Sequence, residues 1–390
     1  MTQLTQSGPR PDHFVLPSAD EARESFRPLV LDPARPDDAG VLAGLRRSSG
    51  VREVHDRIED QVEELLRCLT PEDPFASRSR ERAVADAMGG EPDAYGRWVW
   101  YPWSGRLVHV LPEDEFRLVR TDRNRDKITR EQQQVLLRRR VGVIGLSVGS
   151  GAALTLAMEG VGGAFRLADF DRLGLSNLNR LRAGVHELGA EKSVLCARRM
   201  YELDPYLDIE VFRDGVTEDT VGAFFAAPDG RDGLDLLVEE CDTVWVKVAA
   251  REHARRRRVP VLMETNDRGL LDIERFDLEP DRPLFHGRTG EVSADDVRHL
   301  DRAESIRFLL SIVDERRLSP AMTDALTRVG RSLSSWPQLA SGVMLGAALI
   351  TDTARRILLG EPLPSGRHSV DLHTLLGGGQ APQVPLGAGR

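Results

Sequence analysis

The chain has 390 residues, of which 41% are hydrophobic and 29% charged, and carries a net charge of −9. That balance belongs to a globular protein of one large or two ordinary domains. The acidic excess argues against general nucleic-acid binding, which calls for a basic face. No apolar run approaches the roughly 18 residues of a membrane span. The N-terminus lacks the basic start and apolar stretch of a signal peptide, so a cytoplasmic location is expected. Three scattered cysteines, Cys68, Cys196 and Cys241, make neither a disulfide framework nor a zinc ribbon. Of 53 basic residues only Lys127, Lys192 and Lys247 are lysines. In a chain that defaults to arginine, a lysine flags a position wanting a compact ammonium; chance placement is the plain alternative. All three fall within or beside the stretch that carries the chemistry below.

Residues 1–20 are polar and proline-containing, and a disordered start is expected there. From Asp37 to Leu69 apolar residues recur at helical spacing, most clearly Val51, Val54, Ile58, Val62, Leu65, Leu66 and Leu69, which predicts an amphipathic helix. Residues 70–78 break it. GRWVWYPWSGRLVHVL then predicts a hairpin turned at Ser104-Gly105. Alternation puts Trp98 and Trp100 on one face, as aromatic packing, a subunit interface or a substrate platform. Residues 21–119 are thus expected to form a small helical and hairpin extension.

A basic lead-in over 120–140 ends in a short helix and opens the main domain, expected to span 120–375. A strand at Val141–Ile144, a glycine turn, a helix of small residues and a second strand at Ala164–Ala168 make a β-α-β unit. Asp169 follows that second strand, 24 residues after Gly145. Backbone N–H groups at such a turn cradle phosphates, and the strand-end acid grips a ribose diol. Strands at 208–212, 234–241 and 259–265 alternate with helices at 190–203, 219–226 and 243–257. The predicted fold is α/β, a Rossmann-like, largely parallel sheet with helices on both faces. The Arg255–Arg258 run reads as a solvated helix end. Helices follow at 301–316 and 319–332. A long apolar helix then carries Ala340, Gly342, Gly346, Ala347 and Ala348, which permit close backbone approach. Residues 376–390 are glycine-rich and expected to be a flexible tail.

A glycine loop alone is a weak signal. What sharpens it is the sequel: DFDRLGLSNLNR from Asp169, Lys192 within AEKSVLCARRM, and Asp242 at the end of a buried strand, 50 residues after Lys192. An enzyme attacking the α-phosphate of ATP needs cations to gather the triphosphate, a carboxylate to hold Mg2+ and a second carboxylate for the ribose. A dehydrogenase needs none of this arrangement.

Residues 120–375 resemble the ThiF/MoeB superfamily of ubiquitin-activating-like (E1-like) adenylyltransferases, with the S-N-L-x-R element after D-F-D as the most specific part. The N-terminal portion is similar to actinobacterial E1-like proteins of unassigned function, some carrying an appended flavin domain. The resemblance implies that Asp169 holds the ribose, while Gly145, Ser147 and Gly149 let the backbone approach the nucleotide. It implies that Asn177, Arg180 and Lys192 contact phosphates and that Asp242 binds Mg2+. Asp171 joins the nucleotide-binding set, although Asn177 and Asp171 are also placed to cap the loop or the next helix. A further arginine, reaching across from a partner subunit, corresponds to Arg125, with Arg123 second, and implies a homodimer.

Three departures stand out. The loop GLSVGSG is one residue shorter than the family's G-x-G-G-x-G, with Ser147 in its middle. No paired CxxC motifs exist for a structural zinc. No cysteine follows Cys241 where a thioester nucleophile would stand, and Cys241 and Cys196 read as small buried residues. The expected activity is ATP- and Mg2+-dependent activation of a carboxylate as an acyl-adenylate. The carboxylate would belong to a small protein's C-terminus, a peptide or a metabolite, and an external amine, thiol or sulfide would accept the acyl group. Glu264, Asn266, Asp267 and Arg268 are placed to line that acceptor side, with Arg268 a candidate partner for a substrate carboxylate. A nucleotide-binding scaffold without activity and an NAD(P) oxidoreductase remain the alternatives.

Overall fold

The computed structural model describes residues 17–226, 233–313 and 318–377, so most of the expected disordered start and flexible tail lies outside the described residues. Two compact units emerge. The first comprises residues up to Arg138 together with Ala157–Ala164 and Ser193–Val211; the second comprises Arg139–Leu156, Phe165–Lys192 and the chain from Phe212 onward.

In the first unit Ser18 caps a short helix, α1 (Ala19–Glu24), by accepting the Glu21 N–H at 3.2 Å. Strands β1 (Leu29–Leu31), β2 (Glu53–Asp56), β3 (Arg97–Tyr101) and β4 (Arg106–Val110) form a sheet in the order β1-β3-β4-β2. The β3–β4 pair is the predicted antiparallel hairpin, with Trp100 opposite Leu107. Trp98 and Trp100 do share a face, and they bury it with Leu31, Leu42, Leu45 and Leu107. Both rings are core, which removes the substrate-platform reading for them. The helix expected across Val51–Leu69 is corrected at its start: residues 53–56 are an exposed edge strand parallel to β4. Helix α3 (Ile58–Leu69), which follows α2 (Pro36–Arg47), begins only after Asp56. The Asp56 carboxylate accepts the Ile58 N–H at 3.3 Å and a His109 ring nitrogen at 3.0 Å. Asp56 followed by Glu59 and Asp60 is the start signal that the apolar spacing masked. Helices α4 (Arg80–Ala87), α5 (Glu113–Arg120) and α6 (Arg130–Leu137) complete this part. Buried Asp204 anchors α5, accepting from Arg117 at 3.2 Å and Arg120 at 3.1 Å.

The main sheet has seven strands in the order β11-β10-β9-β8-β5-β6-β7. They are β5 (Arg140–Ile144), β6 (Ala164–Ala168), β7 (Asp208–Phe212), β8 (Leu236–Glu239), β9 (Val261–Glu264), β10 (Leu270–Glu274) and β11 (Gly366–Ser369). It is the predicted largely parallel α/β sheet flanked by helices. The β8 strand runs parallel to both β5 and β9, and an antiparallel margin of β10 and β11 extends it. Connecting helices are α7 (Gly149–Glu159), α8 (Lys192–Leu203), α9 (Glu218–Phe225) and α10 (Val244–Arg257); α11 (Arg302–Val313), α12 (Pro320–Leu326) and α13 (Ala340–Leu358) follow. One hydrophobic cluster joins Phe224, Phe225, Leu237, Val248, Met263 and Phe276. Side chains of this size each contribute about 1.5–3 kcal/mol when fully buried.

A charged network runs through the same core. Arg251 donates to Glu239 at 2.6 Å and to Glu274 at 2.5 Å, and all three side chains are fully buried. Lys247 reaches both Glu239 oxygens at 3.1 and 3.2 Å. The lysine flag is therefore corrected at Lys247, whose ammonium is committed to the core rather than to a nucleotide. Despite the cost of burial, the neighbouring Lys247 and Arg251 hold Glu239 down to a pKa of about 2.

Candidate active site

The site lies at the carboxyl ends of β5, β6 and β8 in the second unit. After Ile144 the chain turns at Gly145, whose φ of +85° suits only a residue without a side chain. A Cβ there would sit 2.6 Å from the backbone N of Cys241 and 2.6 Å from the carbonyl carbon of Glu240. Gly145 thus permits the loop to pass against the end of β8. The loop continues through Leu146–Val148 into α7, which opens at Gly149. An eleven-residue helix starting there aims the free N–H groups of its first turn at the loop.

Asp169 is buried at the end of β6 and stitches this loop to the next. One carboxylate oxygen accepts the Leu146 N–H at 2.6 Å and the other the Asp171 N–H at 2.7 Å. Each oxygen keeps a further lone pair. Burial raises the carboxyl above its ordinary value, and the two N–H bonds and the Lys192 charge oppose that rise.

The structure brings the DFD and SNLNR elements onto the same loop. Arg180 donates through Nη2 to the Ser147 hydroxyl at 3.0 Å and through Nη1 to Asn179 Oδ1 at 2.8 Å. Its Nε is buried without a hydrogen-bond partner. Burial lowers the guanidinium's pKa, while the charge of nearby Asp242 raises it. Ser147, the residue that marks the shortened loop, is therefore the contact between the glycine turn and the arginine. Lys192, also buried, donates to Asp171 Oδ2 at 2.7 Å, and its own N–H bonds to the Asp171 carbonyl at 3.0 Å. Asn177 accepts the Gly174 N–H at 2.9 Å, so its oxygen caps the short 3-10 turn Leu175–Asn177.

Asp242 is exposed just past β8. Among the described residues no group of three or more His, Cys, Asp or Glu side chains is arranged to hold a metal. A lone carboxylate nevertheless suits Mg2+, which keeps most of its waters and takes one or two carboxylates plus phosphate oxygens. Arg125 lies in the first unit, exposed, with its Nε 3.0 Å from Asp122.

Cys241, which is half-buried, is not activated. Burial pushes the Cys241 thiol well above its usual pKa, and Glu239 adds to the effect. Cys196 is buried with its sulfur 3.9 Å from that of Met200. Of the residues expected on the acceptor side, Arg268 pairs with Asp371 at 3.2 Å and Asp267 accepts the Ser319 N–H at 2.7 Å. Sequence reasoning missed the second acid beside Glu264: Glu240, whose Oε1 accepts the Glu264 N–H at 2.8 Å. The doublet Glu239-Glu240 at the close of an apolar run was the available signal.

Residues 121–266 match the ThiF family, as the SNLNR motif implies. The chain is 42% identical over 357 residues to an uncharacterized protein of Mycobacterium tuberculosis (strain CDC 1551 / Oshkosh), an alignment covering 92% of this chain and 47% of the relative. It is 30% identical over 158 residues to the tRNA threonylcarbamoyladenosine dehydratase of Bacillus subtilis, covering 40% of this chain and 60% of that enzyme. The chain thus spans about half the length of the curated relatives it matches. Among solved structures it is similar to the Escherichia coli tRNA N6-threonylcarbamoyladenosine dehydratase at 17% identity and a TM-score of 0.45, covering 64% of this chain and 98% of that one. No described helix is long and apolar enough to cross a membrane.

Proposed function

We propose that this chain is an ATP-dependent adenylyltransferase that activates a carboxylate as its acyl-adenylate and releases pyrophosphate. The observation carrying this reading is the junction of Arg180 with Ser147 of the glycine turn, 3.0 Å apart, next to a buried lysine and a ribose-competent acid. The ThiF-family match over 121–266 supports it.

In this mechanism the ribose hydroxyls bind Asp169, whose oxygens are fixed by Leu146 and Asp171. The triphosphate lies along the turn at Gly145–Gly149, against the first N–H groups of α7. Asp171 holds the Lys192 ammonium by one bond, leaving two N–H groups for phosphate oxygens. Arg180 supplies the planar donor set for the same charge. Asn177 belongs to this set through the turn it caps. Mg2+ bound through Asp242 would neutralise phosphate charge. The substrate carboxylate attacks the α-phosphorus, a P–O bond forms, and the bond to pyrophosphate breaks. No general base is needed, because the nucleophile is already ionised at neutral pH; positioning and charge stabilisation do the catalysis.

The substrate is a protein C-terminus, a peptide or a metabolite. The net charge of −9 disfavours a carboxylate carried on tRNA. A homodimer in which the partner subunit contributes its Arg125 to the triphosphate is part of the proposal. ATP–pyrophosphate exchange across a panel of carboxylates tests it. Arg180→Ala and Asp242→Ala should each abolish exchange while the fold is retained, and wild-type exchange by either variant would refute the roles given. Stabilisation by NAD but not by Mg-ATP in a thermal-shift assay would favour a nicotinamide enzyme instead. ATP binding with silence across the panel would favour a scaffold.

A further inference from the structure

Two residues, one closing β9 and one just past it, are built in a way the fold does not require. Glu264 is 3% exposed, and both its carboxyl oxygens are buried without a hydrogen-bond partner. The Asn266 N–H is the backbone group that helps it. Asn266 Oδ1 is likewise buried and unpartnered, on a residue held at a φ of +56°. Three unmet buried acceptors within three residues are destabilising, and a left-handed asparagine adds strain. Their neighbours in the same turn are engaged, Asp267 with Ser319 and Arg268 with Asp371.

The pair sits one side chain from the nucleotide turn. Glu240, which receives the Glu264 N–H at 2.8 Å, has its Cβ and Cγ 3.5 Å from the position of a Cβ on Gly149. On the other side, Gly342 and Gly346 of α13 form a notch against the corner. A Cβ on Gly342 would stand 3.0 Å from the Asn266 carbonyl oxygen, and one on Gly346 would collide with Glu264 Oε2. Burial, with Asp267 adding to it, raises the Glu264 carboxyl to about 8. Glu240, facing it from β8, is also raised, by burial and by the Glu264 charge.

We propose that Glu264 and Asn266 bind the acyl acceptor, and that this acceptor is a primary amine. The inference rests on the adenylation reading and names the chemistry of its second half. Unmet acceptors call for donors, and an ammonium brings three. A thiolate or sulfide brings no comparable set of donors to these acceptors, and Cys241 is not activated to serve in its place. The ammonium gives one proton to the Glu264 carboxylate, breaking an N–H bond and forming an O–H bond. The freed lone pair attacks the acyl carbon, a C–N bond forms, and the C–O bond to AMP breaks with its electron pair on the phosphate oxygen. The nitrogen loses one more proton to water, leaving the amide, AMP and a protonated Glu264, which returns its proton to solvent.

The test has two arms on the full chain, each comparing wild type with Glu264→Gln, an isosteric and neutral variant suited to fold. In the first, methylammonium chloride at pH 8 should raise the wild-type melting temperature by about 3 °C when present well above its dissociation constant. Potassium and tetramethylammonium chloride at equal ionic strength should not, and Glu264→Gln should show no methylammonium shift. No wild-type shift, an equal shift in the variant, or an equal shift with potassium would overturn the amine site. In the second, methylamine-dependent AMP release is divided by pyrophosphate exchange measured with the same carboxylate. That ratio should fall at least tenfold in Glu264→Gln, and much less with hydroxylamine, which is unprotonated at pH 8. Equal loss with both nucleophiles, or an unchanged ratio, would overturn the proton-accepting role. Absence of exchange in the wild type would instead sink the adenylation reading, while the first arm still decides the site.

Discussion

Two glycines six residues apart, one in the turn after β5 and one inside α7, should respond differently to alanine. At Gly145 the φ is +85°, and an added Cβ would lie 2.6 Å from Cys241 N, 2.6 Å from Glu240 C and 2.7 Å from Glu240 O. All three obstacles are backbone, pinned by the Glu240 N–H bond to the Ile144 carbonyl at 2.8 Å, so no side chain can swing aside. A left-handed conformation costs an alanine about 1–2 kcal/mol, and overpacking against fixed neighbours adds about 1–3 kcal/mol. Gly145→Ala should therefore lose about 2–5 kcal/mol, enough to lower the melting temperature by roughly 4–20 °C in a unit of this size. At Gly151, inside α7, the same Cβ would meet Ala347 and Val343 side chains at 3.5 Å, an ordinary contact. Alanine there gains about 0.8–1 kcal/mol of helix propensity, so Gly151→Ala should be neutral to slightly stabilising. Melting curves of the two variants beside wild type, each with and without Mg-ATP, make the comparison. Gly145→Ala should also lose most of its ATP-dependent shift, because relieving the clash moves the turn away from β8. A Gly145→Ala protein as stable as wild type, or a Gly151→Ala protein as damaged as Gly145→Ala, would refute the close-approach argument.

Three further outcomes are expected. If the partner subunit's Arg125 completes each site, Arg125→Ala and Asp242→Ala should each be inactive alone, yet mixing them under subunit exchange should restore part of the pyrophosphate exchange; a mixture that stays silent while heterodimers form would place Arg125 outside the site. Glu264 has its carboxyl raised from the usual 4.5 to about 8, so the folded state holds an extra proton between those values; wild type should lose stability as pH rises through that window, by at most about 1.4 kcal/mol per unit, and the difference from Glu264→Gln measured by urea unfolding should become independent of pH below it. Arg251→Met leaves Glu239 and Glu274 as buried acids with a reduced set of cations, and should cost about 3–5 kcal/mol, read as a lowered urea midpoint; a loss below about 1 kcal/mol would mean the network relaxes.

The β-α-β unit was legible because its signals are local. Apolar runs of strand length, glycines at a turn and an acid at the second strand's end all fall within Arg140–Asp169, and β5 to β9 lie within a few residues of their expected positions. What was not legible depends on partners distant in the chain. The Glu53–Asp56 strand exists by pairing with β4, and its apolar spacing belongs to the helix behind it. The Leu270–Glu274 strand is set by the turn through Asn266 and Arg268, both at positive φ, a conformation that their residue types announce only weakly. Glu239, Arg251, Asp272 and Glu274 are charged residues that the fold buries, because Arg251 and Lys247 meet Glu239, Arg251 meets Glu274, and His286 and Arg367 meet Asp272. Arg180 and Lys192 were legible as the cations of the S-N-L-x-R element and the lysine that follows it. Their resting partners, Ser147 and Asp171, follow only from the fold.

Those resting partners also bear on how the two proposed half-reactions would share one end of the sheet. The loops after β5 and β6 carry Arg180, Lys192 and Asp169, held by Ser147, Asp171 and Leu146. The ends of β8 and β9 carry acids instead, Glu240 and Asp242 on one and Glu264 on the other. On the proposed reading a triphosphate lies against Arg180 and Lys192, with Asp242 reaching it through Mg2+, while an ammonium is favoured beside Glu264. On that reading, charge sorted along neighbouring strands would order the chemistry without a moving part: the anion would bind at Arg180 and Lys192, and an amine would be held beside Glu264 until an acyl-adenylate formed between them. A nucleophilic cysteine would sit poorly at this end of β8, since burial and the neighbouring Glu239 hold the Cys241 thiol well above its usual pKa.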